Sequence, residues 1–309
     1  MPSAPQLAFQ PTEFTMIPKE VVHKDAAGEV LLRELRHTGA DQYVVTARWP
    51  SDHHFYLARG GLYDPLLLTE SIRQCLPLLS HAAYGVPREH PLLWETYSYR
   101  LHPQALRIDG LDPEVRLEIA CPEVVRRGAR TAALTLQIRA FRGAIPLATA
   151  RTRFTIQTPA VYQRLRAGQG DAARAMAGAL PLLQPVPPGL TGRDHFHDVV
   201  LAPTDAPDHW QLRIDTAHPI LFDHPVDHAP GMLLLEAARQ AAQALAHPRP
   251  VLPAAMDVVF TRYVELDRPC WIQAAPLSED PDGAPRVRVA LGHDDDPAFR
   301  AAVTLAPLP

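Results

Sequence analysis

The chain has 309 residues, 47% hydrophobic and 21% charged, with a formal net charge of −4. That balance is ordinary for a soluble globular protein and leaves room for two domains of roughly 150 residues, each with its own core. It excludes several classes: no basic run is long enough to track a phosphate backbone, and no apolar run approaches the roughly 18 residues of a membrane span. The opening MPSAPQLAFQPTEF lacks the charged and apolar regions of a signal peptide, and Cys75, Cys121 and Cys270 form neither a pairing framework nor a CxxC; both point to a reducing cytoplasm.

In chain order, strand-like segments are expected at Val21–His23, Glu29–Leu35 and Gln42–Trp49, the last rich in β-branched and aromatic residues. A loop with Asp52, His53, His54 and Gly60-Gly61 leads into a helix over Pro65–Ala83, which Gly85 and Pro87 end. Strands follow at Leu93–Leu101, Val115–Ala120, Leu134–Phe141 and Ala148–Gln157. Pro159–Leu180 reads as a short helical connector and Pro181–Gly189 as a semi-rigid Pro-rich linker. The order then repeats: strands at Asp198–Ala202 and Trp210–Thr216, a His/Asp/Pro loop over Ala217–Ala229, and a helix over Pro230–His247. Strands at Met256–Val264, Cys270–Ala275, Arg286–Leu291 and Phe299–Leu305 complete the second copy.

The two helices say the same thing. Leu66–His81 and Met232–His247 share seven of 16 positions at a constant offset of 166 residues, where unrelated stretches would share about one. A period this long means tandem domains: 1–158, a linker over 159–192, and 193–309. Each helix is apolar nearly all round and must be covered on most sides. A curled antiparallel sheet wrapped around one long central helix meets that demand. This is the hotdog architecture, and two copies make an α+β double hotdog.

Inside the second helix, Glu236, Arg239, Gln240 and Gln243 form one stripe at i, i+3, i+4 and i+7. The first helix keeps Glu70, Arg73 and Gln74, but Pro77 takes the fourth place, where it should kink or loosen the helix. A glutamate in such a helix needs a partner, and burial can move its pKa. The alternative is a solvated face with an ordinary i,i+3 ion pair. Directly before the second helix lies Phe222-Asp223-His224-Pro225-Val226-Asp227-His228-Ala229-Pro230-Gly231, with His218 upstream. The Pro-Gly entry turns helix N-terminal amides, Gly231 first, toward whatever the loop contacts, a natural site for a carbonyl oxygen or anion. His224 or His228 with Glu236 could then give and take protons at a substrate carbonyl; the bland alternative is that Asp223, Asp227 and the histidines only cap the helix and hold the loop. The loop lacks clear ligand spacing, so no metal is expected, and with no Gly-rich phosphate loop or nicotinamide fingerprint, no cofactor either. The first copy holds a poorer version of this loop, so the second is expected to be the chemically richer half.

The segment HPxxFDHPxDHxPGMLLLEAARQA of the second copy resembles the A-factor synthase (AfsA-type) family of γ-butyrolactone biosynthesis proteins. So do Arg48-Trp49-Pro50 with His53 and Phe55, the run Asp64–Gln74, and His81–Pro87. The likeness extends from Pro18 to Ala306. Pro-Gly-x-Leu-x-x-Glu-Ala also resembles the hotdog dehydratases of β-hydroxyacyl-carrier proteins, in which a loop His and a helix Glu act together. Here the helix position is Glu236; the loop position falls at Phe222, with His224 as its stand-in.

The family resemblance implies an acyltransferase moving a β-ketoacyl group from an acyl-carrier-protein thioester to the hydroxyl of dihydroxyacetone phosphate, the ester then closing by aldol condensation. On that footing Glu236 or His224 would take the hydroxyl proton and Gly231 would hold the thioester oxygen. Arg239, or Arg73 across an internal pseudo-dimer interface, would grip the phosphate, with Gln240, Gln74 and Glu70 beside them. A further pairing into a homodimer is compatible with the sequence. A dehydratase or thioesterase, or a non-catalytic acyl-binding module, remain the alternatives.

Overall fold

A computed structural model describes residues 13–110, 112–294 and 296–308; the N-terminal stretch read for a signal peptide lies almost wholly outside them. Twelve strands form one continuous antiparallel sheet. Six come from the first half: β1 (Leu32–Gly39), β2 (Gln42–Arg48), β3 (Leu92–Leu101), β4 (Glu114–Arg127), β5 (Arg130–Arg142) and β6 (Ile145–Ile156). Six come from the second: β7 (Leu201–Pro203), β8 (His209–Leu212), β9 (Val251–Phe260), β10 (Trp271–Leu277), β11 (Arg286–Gly292) and β12 (Phe299–Pro307). Their order is β1-β2-β4-β5-β6-β3, then β9-β12-β11-β10-β8-β7. Adding six to each strand number of the first half gives the second half read backwards, so the duplication is one of topology as well as sequence. The halves meet edge to edge at β3 and β9, with Tyr97 opposite Val258 and Tyr99 opposite Met256. Tyr99 Oη also donates across this seam to the Pro253 carbonyl at 3.0 Å.

Each half-sheet curls around one helix, α1 (Leu66–Ala82) or, after three short linker helices, α5 (Gly231–Ala246). The fold is an α+β double hotdog. Of the 17 residues of α1, only Arg73 and His81 are not buried. Apolar side chains around most of the circumference require cover on most sides, and the curled sheet supplies it. Gly85, with φ of 63°, ends the segment after α1 in the left-handed conformation that suits glycine.

Several sequence expectations need correction. Val21–His23 is not a strand: Lys19–Val21 form a 3₁₀ turn, and His23 follows with φ of 53°. β1 starts at Leu32 rather than Glu29, and β9 ends at Phe260, since Thr261–Leu266 turn away to meet the linker. The short strands near 200 and 210 are β7 and β8, each shifted by a few residues at the sheet edge. Pro77 does not break α1, which runs unbroken to Ala82; packing on all sides outweighs the hydrogen bond it removes. The linker contains α2 (Pro159–Leu165), α3 (Ala172–Ala177) and α4 (Pro188–Thr191). It is tied to the second half through Leu180 N–H to the Leu266 carbonyl and Val186 N–H to the Leu201 carbonyl.

Two glutamines pin the helices to the chain entering each half. Gln74 Oε1 accepts from Leu31 N–H at 3.0 Å while its Nε2 donates to the Glu29 carbonyl at 2.7 Å. Gln240 does the same with Val200 N–H at 2.9 Å and the Asp198 carbonyl at 2.7 Å. Gln240→Leu strands a buried donor and a buried acceptor and should lower unfolding stability by about 3 kcal/mol, read as a shift of the urea midpoint without a change in slope.

Candidate active site

The buried glutamates organise the site. Glu70 Oε2 accepts from Arg73 Nε at 2.9 Å and Oε1 from Arg73 Nη2 and Gln74 Nε2, each at 2.8 Å. Lys24 Nζ stands 3.2 Å from the same Oε1. Burial alone would raise this carboxyl; the charges of Arg73 and Lys24 and the bonds from Arg73 and Gln74 overcome it and hold the pKa at about 2. Glu236 repeats the pattern with Arg239, at 2.8 and 2.7 Å, and Gln240. Its second cation is Arg193, which donates from Nε and Nη2 at 2.8 Å each. The same offset, 169 residues, separates Glu29 from Asp198, Leu31 from Val200 and Lys24 from Arg193, so Lys24 and Arg193 are equivalent groups.

The loops before the helices also match. His53 Nδ1 accepts from the amides of Phe55 and Tyr56 at 3.0 and 3.1 Å, and its Nε2 faces Glu29 at 3.2 Å. His218 Nδ1 accepts from Ile220 and Leu221 at 3.2 and 3.1 Å, with Asp198 at 3.3 Å from Nε2. These two histidines shape their loops.

A cavity of about 720 Å³ opens between the halves. The first half contributes Glu70 and Arg73 from α1, His23 and Lys24 from the segment before β1, and Trp94 from β3. The second contributes the loop with Asp223, His224 and His228, the start of α5 at Gly231, and Phe260 and Tyr263. Gly231 lets the helix start approach Trp94 closely, since a Cβ would meet the indole at 3.0 Å. No side chain caps α5, which leaves its first amides for a ligand.

Three imidazoles border the cavity. His228 Nδ1–H donates to Asp227 at 2.7 Å, so in the neutral ring the lone pair lies on Nε2. Asp227 is fixed by Tyr162 Oη at 2.8 Å and by Arg166 Nε at 2.9 Å. Burial pushes its carboxyl up, but the bond and charge of His228, with help from Tyr162 and Arg166, hold it well below the usual carboxylate range. The Tyr263 ring stands edge-on to His228, its centroid 4.8 Å away, and its hydroxyl is buried with no hydrogen-bond partner among the described residues. His224 Nδ1 is likewise unpartnered, with Asp223 Oδ2 no closer than 3.7 Å. Burial, then Arg73, lower the pKa of His224; burial, then His81 and Arg73, take His23 down to about 3.

The pseudo-equivalent position on the other side is closed. Asp64 Oδ1 accepts from Leu66 N–H at 2.8 Å and so plugs the start of α1. Its Oδ2 meets Arg193 at 3.2 Å, Arg193 Nη1 also donates to the Phe55 carbonyl at 2.6 Å, and the guanidinium lies 4.1 Å over the Phe55 ring. Glu236, Arg239 and Gln240 are thus brought to this plug and do not line the cavity. Glu236 is fully buried with both oxygens taken by two guanidiniums, so the expectation that it works on substrate does not fit its surroundings. Nor is the second half the richer one: both halves supply the cavity, with His23, Lys24, Glu70 and Arg73 from the first and Asp223, His224 and His228 from the second. Glu70, Arg73, His224, His228 and Gly231 are brought together, with Asp227 behind His228 and Gln74 behind Glu70. Sequence reasoning missed His23, Lys24, Arg193 and Tyr263; the 169-residue offset was the available signal for two of them.

The profile of the A-factor biosynthesis hotdog domain matches residues 6–158 and 175–309. The chain belongs to the A-factor biosynthesis hotdog family. The 2-oxo-3-(phosphooxy)propyl 3-oxoalkanoate synthase of Streptomyces virginiae is 44% identical over 281 residues, covering 91% of this chain and 94% of that one. The synthase of the same name from Streptomyces coelicolor is 40% identical over 282 residues, covering 90% and 88%. Among solved structures, an acyl-ACP thioesterase from Bacteroides thetaiotaomicron superposes with a TM-score of 0.50 at 10% identity, covering 85% of this chain and 98% of its own, a likeness of fold alone. The cavity lies between the first half's helix and the second half's loop.

Two outcomes check this geometry. Arg193→Met leaves Glu236 and Asp64 short of a buried cation and should cost about 3–5 kcal/mol of stability in urea unfolding. Glu70 has a folded-state pKa below its ordinary value of 4.5, at about 2, so its stabilisation is full above 4.5 and is lost as pH falls toward 2. Stability of Glu70→Gln should therefore fall less steeply than wild type over that window, as read from urea midpoints at stepped pH.

Proposed function

We propose that this chain transfers a 3-oxoacyl group from a thioester to the hydroxyl of dihydroxyacetone phosphate. The name carried by its relatives describes such an ester: a 3-oxoalkanoate joined to a 2-oxo-3-(phosphooxy)propyl group, whose alcohol is dihydroxyacetone phosphate. The observation that carries the reading is the composite cavity, where a cation pair, an aspartate-held imidazole and an open helix start face one space.

The roles follow from the chemistry of each group. Arg73 and Lys24 hold the phosphate, since guanidinium and ammonium suit a dianion. His228 Nε2 takes the hydroxyl proton. Asp227 fixes the tautomer and stabilises the imidazolium, as an aspartate does behind other catalytic histidines. The freed oxygen attacks the thioester carbonyl, whose developing charge meets the Gly231 amide at the start of α5. The C–S bond breaks, the proton on His228 passes to the departing thiolate, and ester and thiol leave. Trp94, Phe260 and the other apolar walls cover the acyl chain, and Arg262, exposed at the rim, suits the acidic surface of an acyl-carrier protein as donor. Glu70 is too well paired to act as a base and serves to place the two cations. His224 stands beside the phosphate end. The units are 1–158 and 193–309, with 159–192 as a tie whose Arg166 reaches Asp227 and Glu265 of the second unit.

Purified protein given a 3-oxoacyl thioester and dihydroxyacetone phosphate should form the phosphorylated ester by mass spectrometry. Thioester hydrolysis alone, without ester, would overturn the reading. Asp227→Asn and His228→Gln should each lower kcat by about 10²–10⁴-fold with a smaller change in KM.

A further inference from the structure

Two imidazoles at the Arg73 end of the cavity, His23 and His224, take no part in proton transfer by His228. The protonation of His23 is dictated by its neighbours. His81 Nδ1 lies 2.8 Å from the Val86 carbonyl, which can only accept, so that nitrogen carries hydrogen. Burial lowers the pKa of His81, and in the neutral ring its Nε2 offers a lone pair. His23 Nε2 is 2.8 Å from it and must donate. The free nitrogen of His23, Nδ1, therefore carries a lone pair on a ring that lines the cavity. The lone pair or hydrogen of His224 Nδ1 is buried and unpartnered as well.

The cations beside them have hydrogens to spare. Arg73 uses Nε and Nη2 on Glu70, and Nη1 has no acceptor among the described residues. Among the described residues Lys24 Nζ meets only Glu70, although its side chain is 4% exposed. The other titratable groups acting on His23 are His81 on α1, Arg88 after α1 and His224 in the second-half loop. Asp223 is already occupied by the amides of Asp25 and Ala26, at 2.7 and 3.2 Å.

We propose that His23 and His224 complete, with Arg73 and Lys24, a pocket for a phosphomonoester dianion, and that filling this pocket draws a proton from solvent onto the imidazole pair. It rests on the reading that the acceptor is phosphorylated. In the empty cavity, burial and Arg73 lower the pKa of both rings. A dianion reverses the sign of the local field and favours an imidazolium. The proton gained becomes a donor to phosphate, and the lone pair of His81 supports the other N–H of His23. His81 is a positioning residue: Val86 fixes its tautomer and it fixes that of His23.

Sulfate is the probe, because it stays a dianion over the range tested and any proton taken up belongs to the protein. Calorimetric titrations at pH 5.5 and 6.5, each in two buffers of different ionisation heat, should show close to one proton gained per sulfate. Affinity should fall about tenfold per pH unit. His23→Gln and His224→Gln should each reduce the uptake. His81→Ala should reduce it too, whereas His81→Gln should retain it, since a carboxamide can donate to Val86 and accept from His23. Absence of sulfate binding, binding without proton uptake, or undiminished uptake in the double His23→Gln, His224→Gln variant overturns the proposal. Equal loss in His81→Ala and His81→Gln overturns the positioning role. Ester formation is measured on the same preparation: turnover without proton uptake sinks the pocket alone, whereas proton uptake without ester formation sinks the acyl-transfer reading alone.

Discussion

Each half of this molecule buries a glutamate in the middle of its central helix, and a carboxylate removed from water must be met by positive charge. Much else follows from how that demand is met. Both helices supply an arginine three residues on, and both recruit a second cation from the segment entering the half: Lys24 for Glu70 and Arg193 for Glu236. The difference between the two cations sets the difference between the two sides. A lysine offers one compact charge and leaves its other hydrogens toward the cavity. The planar arginine reaches past its glutamate to Asp64 and the Phe55 carbonyl and bolts that side shut.

The remaining parts fall into place around the open side. The edge-to-edge pairing of β3 with β9 brings Trp94 of one half against Gly231 of the other, so the uncapped helix start is walled by a side chain from across the seam. The loop carrying His224 and His228 is shaped from within by His218 and anchored from outside by Arg166, a linker residue whose guanidinium binds Asp227 and Glu265 together. The linker therefore belongs to the site's support as much as to the connection between halves.

Much of this was legible in the residues. Helix–sheet periodicity and the repeated LLxxE–RQ helix were enough for the double hotdog, because a helix apolar on nearly all sides admits few other surroundings. The loop histidines, Gly231, a helix glutamate and a helix arginine could be read as one group because they lie on or beside that repeat. What could not be read was which glutamate faces the cavity. Glu236 and Glu70 sit in nearly identical local sequence, and their fates are decided by residues 43 and 46 positions away, Arg193 and Lys24. Lys24 and His23 were further hidden in a stretch of Val-Val-His that reads as a strand but turns as a 3₁₀ corner, since no partner strand is present to pair with it. Pro77 misled in the opposite sense: its local cost is real, yet the packed surroundings of α1 hold the helix straight through it.

The plugged side has a consequence for how the molecule handles its cargo. Two identical hotdog subunits would have to carry both clefts or neither, because symmetry copies every substitution. Covalent fusion lifts that restriction, and here one cleft has been converted into internal cement while its twin stays hollow. On the reading proposed above, each polypeptide offers a fatty chain one cleft between helix and loop, while among the described residues the equivalent place in the other half is filled by Asp64 and Arg193.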